Sequence, residues 1–574
     1  MILESLVKYY EALAEKGELA KPGWSQVDVS YALDIDINGN LKRVISLKKQ
    51  EGKKLVPQKM TLPSQIKRSS GIAPNFLCDN STYFLGIDNK GKPDRSRDCF
   101  LATKEYHEKI LSVEENAAKA VINFLNNWDT EKAEEHPALQ EYKIDILKGG
   151  NLIFIYDGKF VHEYEAVRQK WDELYIGVAK EEKYRCSVTG KVDSVAILHP
   201  TIKRIRNAQS SGASLVSFNA PAFTSYGKEQ GANAQTGEYA AFAYGEALNY
   251  LTERITFKNY IGNTAVLFYA INGEREYQDA FSAIFFGDDD HYTKEDLMKL
   301  VEDICEGRAV DFEDKRLDPQ MEFYLLGLAP NNARLSIRLF ERGTFGEFVK
   351  NIKEHQERLA IESGKEAIGL LSTWQILKET CRNRDEEYMS PVLAGELTRS
   401  IIENTRYPAT LINAIDLRIR ADHDVGQRRA SIIKAYYLKN ENKQIPKEVL
   451  TVGLNKETNN VPYNLGRLFA VLERIQEAAT PGLNATIKDK YFGGASSTPA
   501  TIMPKLIELS QNHLRKLNPG MKVYYNKMLG EILEKFEEEG YPRSLSMPER
   551  GAFQLGYYHQ MQDLFKSKKV EDER

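Results

Sequence analysis

The apolar residues change rhythm along this chain, and that change limits the folds open to it. Near the N-terminus Val27, Val29, Tyr31, Leu33, Ile35 and Ile37 alternate with other residues up to Asn38-Gly39. This is the period of a half-buried strand that ends in a tight hairpin turn. The returning strand is expected over about 41–47. Short strands are expected over 151–156, 195–198, 215–218 and 265–270, and an alternating one over 334–340. Helical spacing at Leu3, Leu6, Val7, Tyr10 and Leu13 predicts an N-terminal helix with Gly17 as its stop. Further helices are expected over 239–254, with Thr236 as N-cap, and around 297–304, capped by Thr293. Beyond about Gly364 apolar residues recur only at helical intervals, over 367–381, 392–404, 411–420, 430–439, 465–479, 502–517, 523–538 and 549–565. The reading is therefore an α+β N-terminal region with antiparallel sheets (1–364), followed by an all-α C-terminal helical bundle (365–574). The tail after Lys566 is expected to fray.

Composition excludes several classes of protein. With 42% hydrophobic residues there is ample material for buried cores, and no apolar run is long enough for a membrane helix. Glu4 and Lys8 interrupt the N-terminal apolar stretch, so no signal peptide is expected and the chain is read as cytoplasmic. The five cysteines include no C-x-x-C pair, against a disulfide framework and against a zinc ribbon. The net charge of −4 hides local polarity. Between Leu41 and Ser70 nine basic residues (Lys42, Arg43, Lys48, Lys49, Lys53, Lys54, Lys59, Lys67, Arg68) face one acid, Glu51. A charge run is ordinarily a solvated face; the sharper reading is a phosphate-binding surface, which needs local rather than total positive charge.

Catalytic motifs are weak. Asp422-His423-Asp424 holds a His-Asp pair, but the nine histidines are scattered and offer no second ligand pair. Gly287-Asp288-Asp289-Asp290 follows an apolar run, yet acids ahead of a capped helix also complement its N-terminus. Thr189-Gly190-Lys191 lacks the rest of a phosphate-binding loop. No metal site, no cofactor and no enzymatic activity are expected. The competing enzyme reading is a metal-dependent nuclease using the acids of 288–291 or 422–424.

The segment 217–235 is more informative. It joins an expected strand to an expected helix and is too long for a plain connection. It carries Asn219, Gln230, Asn233 and Gln235, the glycines Gly227 and Gly231, and Tyr226 with Lys228. Amides donate and accept together, as base edges require, glycine permits close backbone approach, and an aromatic ring stacks on an unpaired base. Lys203, Arg204 and Arg206 lie just upstream, and Arg399, Arg406, Arg418, Arg420, Arg428 and Arg429 stud the helical part. Each helical arginine is more often a surface ion-pair partner than a ligand contact.

Several blocks resemble a known family. Gly71-Ile72-Ala73-Pro74-Asn75-Phe76-Leu77-Cys78-Asp79, preceded by Lys67-Arg68, is similar to a hallmark of the large subunit of the type I-C CRISPR surveillance complex, Cascade. So are Cys186-Ser187-Val188-Thr189-Gly190, Ser217-Phe218-Asn219-Ala220, Ser225-Tyr226-Gly227-Lys228-Glu229-Gln230-Gly231, Leu328-Ala329-Pro330-Asn331-Asn332-Ala333-Arg334 and Tyr463-Asn464-Leu465-Gly466-Arg467. The resemblance implies a subunit beside the crRNA 5′ handle and the subunit that caps it, in contact with the Cascade backbone subunits. It implies recognition of the protospacer-adjacent motif in double-stranded DNA, often 5′-TTC, duplex opening, retention of the displaced strand and recruitment of a helicase-nuclease. Guide pairing then supplies sequence specificity while protein reads the short motif, the logic known for another effector class.

On this reading Asn219, Gln230 and Asn233 contact base edges, Tyr226 stacks or wedges, and Lys228 holds phosphate. Lys48, Lys49, Lys53, Lys54, Lys67, Arg68 and Asn75 grip the duplex or the crRNA handle. Arg418, Arg428, Arg429 and Arg467 line the displaced-strand path. The segment from about 452 to 574 is similar to the Cascade small subunit, with Val452 as a place for an internal translation start. A general RNA-binding scaffold is the other alternative.

Overall fold

The computed structural model describes residues 1–51, 54–66, 71–88, 91–112, 114–177, 183–286, 293–363, 371–536 and 540–572. They form two compact units: Met1–Pro200 with Val216–Ala247, and Thr201–Leu215 with Leu248–Arg574.

In the first unit helix α1 (Ile2–Glu15) precedes a sheet built from β1 (Trp24–Ile35), β2 (Leu41–Ser46), β3 (Gln58–Pro63), β4 (Cys78–Asp79), β5 (Asn151–Tyr156) and β6 (Lys159–Phe160). The strand order is β2-β1-β5-β4, with β3 also on β1 and β6 on β5. The expected hairpin forms, antiparallel between β1 and β2. β1 also runs parallel to β5, so this sheet is mixed. A parallel pair needs a long crossover, and the intervening chain supplies α2 (Pro93–Ile110) and α3 (Asn116–Asn127).

The alternation in β1 hides a change of face. The register against β5 shifts between Val29 and Tyr31. Val27, Val29 and Ala32 pack with Leu62, Cys78 and Ile153, while Tyr31, Leu33 and Ile35 pack with Phe84, Val121, Phe124 and Phe154. One extra residue in a strand reverses its phase, so β1 feeds two cores and its second half is buried on both faces. The hairpin loop is also longer than the two-residue turn expected. The Asp36 carboxylate accepts from the backbone N–H of Asn38 and of Asn40, both at 2.9 Å. Gly39 has φ 84°, and a Cβ there would meet the Phe124 nitrogen at 2.2 Å. The loop thus sits on α3, where Asn123 Nδ2 donates to Ile37 O at 2.8 Å and Asn127 Nδ2 to Asn38 O at 3.0 Å.

The second unit holds a sheet of β7 (Thr201–Ile202), β8 (Ala213–Ser214), β9 (Lys258–Ile261), β10 (Thr264–Ala270), β11 (Glu322–Asn331) and β12 (Arg334–Thr344). Its order is β7-β8-β12-β11-β10-β9. The expected strand over 195–198 is reduced to a single bridge, Val195 with Gly237. The strand expected over 215–218 is replaced by the two residues of β8. The division between units falls within α4 (Glu238–Glu253). Thr236 does not cap that helix: the Asp193 carboxylate accepts from the Tyr239 N–H at 3.0 Å. Thr293 does cap its helix, α5 (Lys294–Cys305), in a reciprocal capping box with Asp296.

After β12, among the described residues, only helices follow, as the periodicity predicts. They are α6 (Phe345–Leu359), α7 (Pro391–Ile402), α8 (Ala409–Asp422), α9 (Gln427–Asn440), α10 (Val461–Ala479), α11 (Pro499–Leu514) and α12 (Met547–Asp572), with shorter or less central helices between them. The change of texture near residue 364 is not a packing boundary. One continuous core runs from Phe268 and Phe323 on the sheet through Phe345, Phe348 and Ile352 of α6 to Ile412, Tyr463 and Phe553 of the bundle. α6 starts from Thr344 in a capping box with Glu347. At its other end Lys434 Nζ donates to Arg358 O at 2.7 Å and the Ser431 hydroxyl donates to Leu359 O. α8 and α12 are joined by a partly buried ion pair, Arg550 Nη2 to Asp416 Oδ2 at 2.8 Å, with Gln554 Nε2 donating to Asp416 Oδ1 at 3.1 Å.

α10 and α12 approach backbone to backbone. A Cβ on Gly466 would lie 1.9 Å from Phe553 O, and one on Gly556 would lie 2.0 Å from Tyr463 O. Gly466→Ala should therefore cost about 3 kcal/mol or more, as overpacking against backbone does, read as a lowered denaturant midpoint. A pH effect follows from His107, which is fully buried. Its Nδ1 donates to Thr103 O at 2.8 Å and its Nε2 accepts from the Leu77 N–H at 3.0 Å. Burial pushes its pKa down to about 4, and that of His162 to about 4. Unfolded histidines bind protons near pH 6.5 and these folded ones do not, so stability should be full above that pH and fall as pH drops towards 4. Denaturant titrations at pH 7 and pH 5 check this, and His107→Gln should reduce the difference.

Candidate nucleic-acid interface

The loop after β8 is exposed towards its tip and pinned at its base. Residues 221–227 are all exposed, and the Tyr226 side chain is 99% exposed. Its backbone is left-handed, φ 53°, followed by Gly227 at φ 66°, a costly arrangement for a bulky aromatic unless its surroundings fix it. The fixing group is Asn233. Its Oδ1 accepts from the Ser225 N–H at 2.9 Å, and its Nδ2 donates to Lys228 O at 3.0 Å and Gln230 O at 2.9 Å. Both amide hydrogens of Asn233, expected at a base edge, are committed to the loop itself, where Asn233 positions the backbone. Asn219 and Gln230 are exposed and Lys228 is half-buried on the same loop.

Gly231 sets the base. It is buried, its N–H donates to Ile197 O at 2.9 Å, and a Cβ there would lie 2.0 Å from Ala196 O. The backbone over 195–197 that reads as a strand is thus a seat for the loop. Beside it the Ser187 N–H donates to Gln235 O at 3.0 Å and the Ser187 hydroxyl to Ala234 O at 3.1 Å. Cys186 Sγ accepts from the N–H groups of Val188, Thr189 and Gly237. Burial pushes its thiol up, but the Thr189 side chain and these backbone donors outweigh burial and leave the pKa below the ordinary value. Two family-like blocks far apart in sequence, 186–190 and 217–235, are therefore one structural object. Sequence reasoning missed the hairpin Lys183–Arg185 with Val192–Ser194 that carries this turn. It presents exposed Lys183, Arg185 and Lys191 and a 42% exposed Tyr184. The signal that could have found it was the basic residues flanking Cys186 on both sides.

The N-terminal basic run is less uniform than its sequence. Lys49 is exposed. Lys48 is committed inward: its ammonium pairs with Asp145, which also accepts from the Tyr31 hydroxyl at 2.5 Å. Asn75 is 5% exposed, with its Oδ1 accepting from the Ile66 N–H at 2.8 Å and its N–H donating to Asp79 Oδ2 at 3.0 Å. It is a buried brace, not a surface contact. Lys53, Lys67 and Arg68 lie outside the described residues, and Lys54 is described in backbone only.

Two of the four arginines assigned to a strand path are core groups. Arg429 is 2% exposed, with Nε 3.2 Å from Glu379 Oε2 and Nη2 2.6 Å from Asp422 Oδ2. Arg467 is 4% exposed and donates to Gln560 Oε1 at 3.1 Å and Asn464 Oδ1 at 2.9 Å. A fully buried charge is costly unless it is paired or hydrogen-bonded: Arg429 is ion-paired with two carboxylates, and Arg467 is hydrogen-bonded to two side-chain amide oxygens. Arg418 is 3.7 Å from Asp422, and Arg428, half-exposed, is 3.8 Å from Glu379. The same network occupies the Asp-His-Asp motif: Asp422 holds Arg429, Asp424 holds Arg384 at 3.3 Å, and His423 is the left-handed cap of α8. Residues 287–292, with the other acidic motif, lie outside the described residues. Among the described residues no cluster of three or more His, Cys, Asp or Glu could hold a metal. Asn233→Ala removes the loop's three side-chain clamps. Chymotrypsin or trypsin should then cut at Tyr226 or Lys228 at least about tenfold faster, each clamp contributing about 1 kcal/mol, with the global unfolding midpoint nearly unchanged.

Among the described residues no helix is long and apolar enough to cross a membrane. Comparison with curated protein sequences returns no match. A family model described as CRISPR-associated protein (Cas_Csd1) matches residues 6–565. That match takes in both compact units, the pinned loop with its Cys186 seat and the whole helical bundle, and so the chain belongs to the Cas_Csd1 family of CRISPR-associated proteins.

Proposed function

We propose that this chain is the large subunit of a type I-C Cascade complex and that its pinned loop reads the protospacer-adjacent motif in duplex DNA. The observation that carries this is Tyr226, a wholly exposed aromatic held in a left-handed conformation at the end of a loop whose base is locked by Asn233 and Gly231. A wedge must be presented and must not collapse; stacking on a base freed from its partner then offsets part of the cost of opening. Asn219 and Gln230 supply donors and acceptors for base edges, and Lys228 and Lys49 supply phosphate contacts. Lys183, Arg185 and Lys191 extend the positive surface around the loop's seat.

In this reading the chain breaks no covalent bond. It acts in the cytoplasm beside the crRNA 5′ handle, its capping subunit and the backbone subunits, favours R-loop formation, holds the displaced strand and receives the helicase-nuclease. The segment from about 452 to 574 corresponds to the small subunit, made also from an internal start. The nuclease alternative loses weight because the carboxylates of its Asp422–Asp424 candidate are engaged by arginines.

The test is binding of the assembled complex to duplexes that carry or lack the motif. Asn219→Ala with Gln230→Ala should abolish the preference, losing about 1–3 kcal/mol of discrimination for each good base contact. Tyr226→Ala should keep initial binding and slow strand opening, read by the reactivity of unpaired thymines to permanganate. Lys49→Ala should weaken both duplexes equally and lower the salt dependence. Loop variants that discriminate as well as the parent would refute the motif-reading role.

A further inference from the structure

A second positively charged surface lies in the other compact unit and is not part of the loop or its seat. It is built from the turn after β7, the end of α4 and strand β9. Segments 203–207 and 253–260 together carry Lys203, Arg204, Arg206, Arg254 and Lys258 against one acid, Glu253. Lys203, Arg204, Arg206 and Arg254 are exposed.

The backbone here is held against its preference. Arg204 has φ 60° and Asn207 φ 62°, and an arginine rarely adopts that region. Three contacts fix it. Lys258 Nζ donates to Arg204 O at 3.1 Å, the Arg206 N–H donates to the Tyr260 hydroxyl at 3.0 Å, and the Lys203 N–H donates to Asn249 Oδ1 at 2.9 Å. The consequence is an ordered display of cations. The Arg206 guanidinium lies over the Tyr260 ring, 4.5 Å from its centre, and that of Arg254 lies over Tyr250 at 4.6 Å and Phe257 at 5.3 Å. Arg204 is partly neutralised by Glu253 at 3.1 Å. Burial, with Arg204 adding to it, pushes the Lys258 pKa down. Asn207 and Asn263 pair their amides next to this group at 3.2 Å, and Ile255 beside Arg254 is 84% exposed.

We infer that this ledge binds a single strand of nucleic acid, with Lys203, Arg206 and Arg254 on its phosphates and the guanidinium faces stacking on its bases. A guanidinium resting on an aromatic ring has one face covered and can offer the other to a base. Bases in a duplex are already stacked on each other, so that face selects unpaired strands. The cations account for affinity and its salt dependence, the planes for strand preference. The inference rests on the nucleic-acid reading of the chain, not on the motif-reading role of the Tyr226 loop.

The test uses the purified full-length chain and fluorescence anisotropy with labelled oligothymidylate, oligouridylate and a motif-free duplex. The parent should bind a single strand more tightly than the duplex, and the two oligomers distinguish displaced DNA from RNA as its source. Arg206→Ala with Arg254→Ala should weaken single-strand binding at least about tenfold and reduce the slope of log affinity against log salt by about 1.4, or about 0.7 for each phosphate no longer neutralised. Arg206→Lys with Arg254→Lys should keep the slope and lose the preference for single strands. Should the alanine pair lower the unfolding midpoint, Lys203→Glu, whose side chain is exposed, should still weaken binding at least about fivefold. A parent that binds no oligomer, or variants with parental affinity and slope, would overturn the proposal. Equal losses on duplex and single strand would overturn the single-strand assignment. Unchanged motif preference of the assembled complex in these variants separates this site from the loop, whose own failure would leave the anisotropy result standing.

Discussion

The end of α6 is the constraint on which the second unit depends. A helix leaves its last carbonyls without partners, and burying them unsatisfied costs about as much as a lost hydrogen bond each. Here α6 leaves the sheet at Thr344 and ends inside the bundle. Its final carbonyls are met by Lys434 and Ser431 from α9. Burial depresses the Lys434 pKa to about 8, so the lysine bears a desolvation cost in order to close the helix. Sheet and bundle therefore cannot separate without stripping both a capped helix end and a continuous apolar face.

The fold was legible wherever one period governed a whole element. The helices after 391 and the hairpin of β1 and β2 follow from spacing and turn residues, as does the capping of α5 by Thr293. What escaped were features set by two distant segments at once. The face reversal in β1 arises from its pairing with β5, more than a hundred residues away in sequence. The 195–198 stretch has strand composition but offers its backbone to Gly231 and Thr236. At the candidate interface the loop itself was legible in the sequence, but not that the Asn233 amide is committed to it. Asn219, Gln230 and Asn233 look alike as residue types; only the fold gives Asn233 three backbone partners. Arg429 and Arg467 were likewise indistinguishable from surface arginines until Glu379 and Gln560 were brought to them.

The loop shows how exposure and order coexist. Its tip is exposed, and the loop is held from below, through the Asn233 amide, the Gly231 approach and the sulfur-centred turn at Cys186. A binding element ordered before it meets its ligand loses less conformational entropy on engagement. The ledge around Arg206 uses a different device, aromatic rings beneath guanidinium groups, to the same thermodynamic end.

The partly buried pairing of Arg550 and Gln554 with Asp416 has a consequence for any shorter product of the same reading frame. A polypeptide starting near Val452 keeps the cation and leaves its counter-charge behind, along with Tyr437, against which Gly551 closes. Such a fragment would show water a guanidinium set in an apolar strip. That is a poor surface for a solitary monomer, so the last helix depends on the residues before Val452 for its counter-charge.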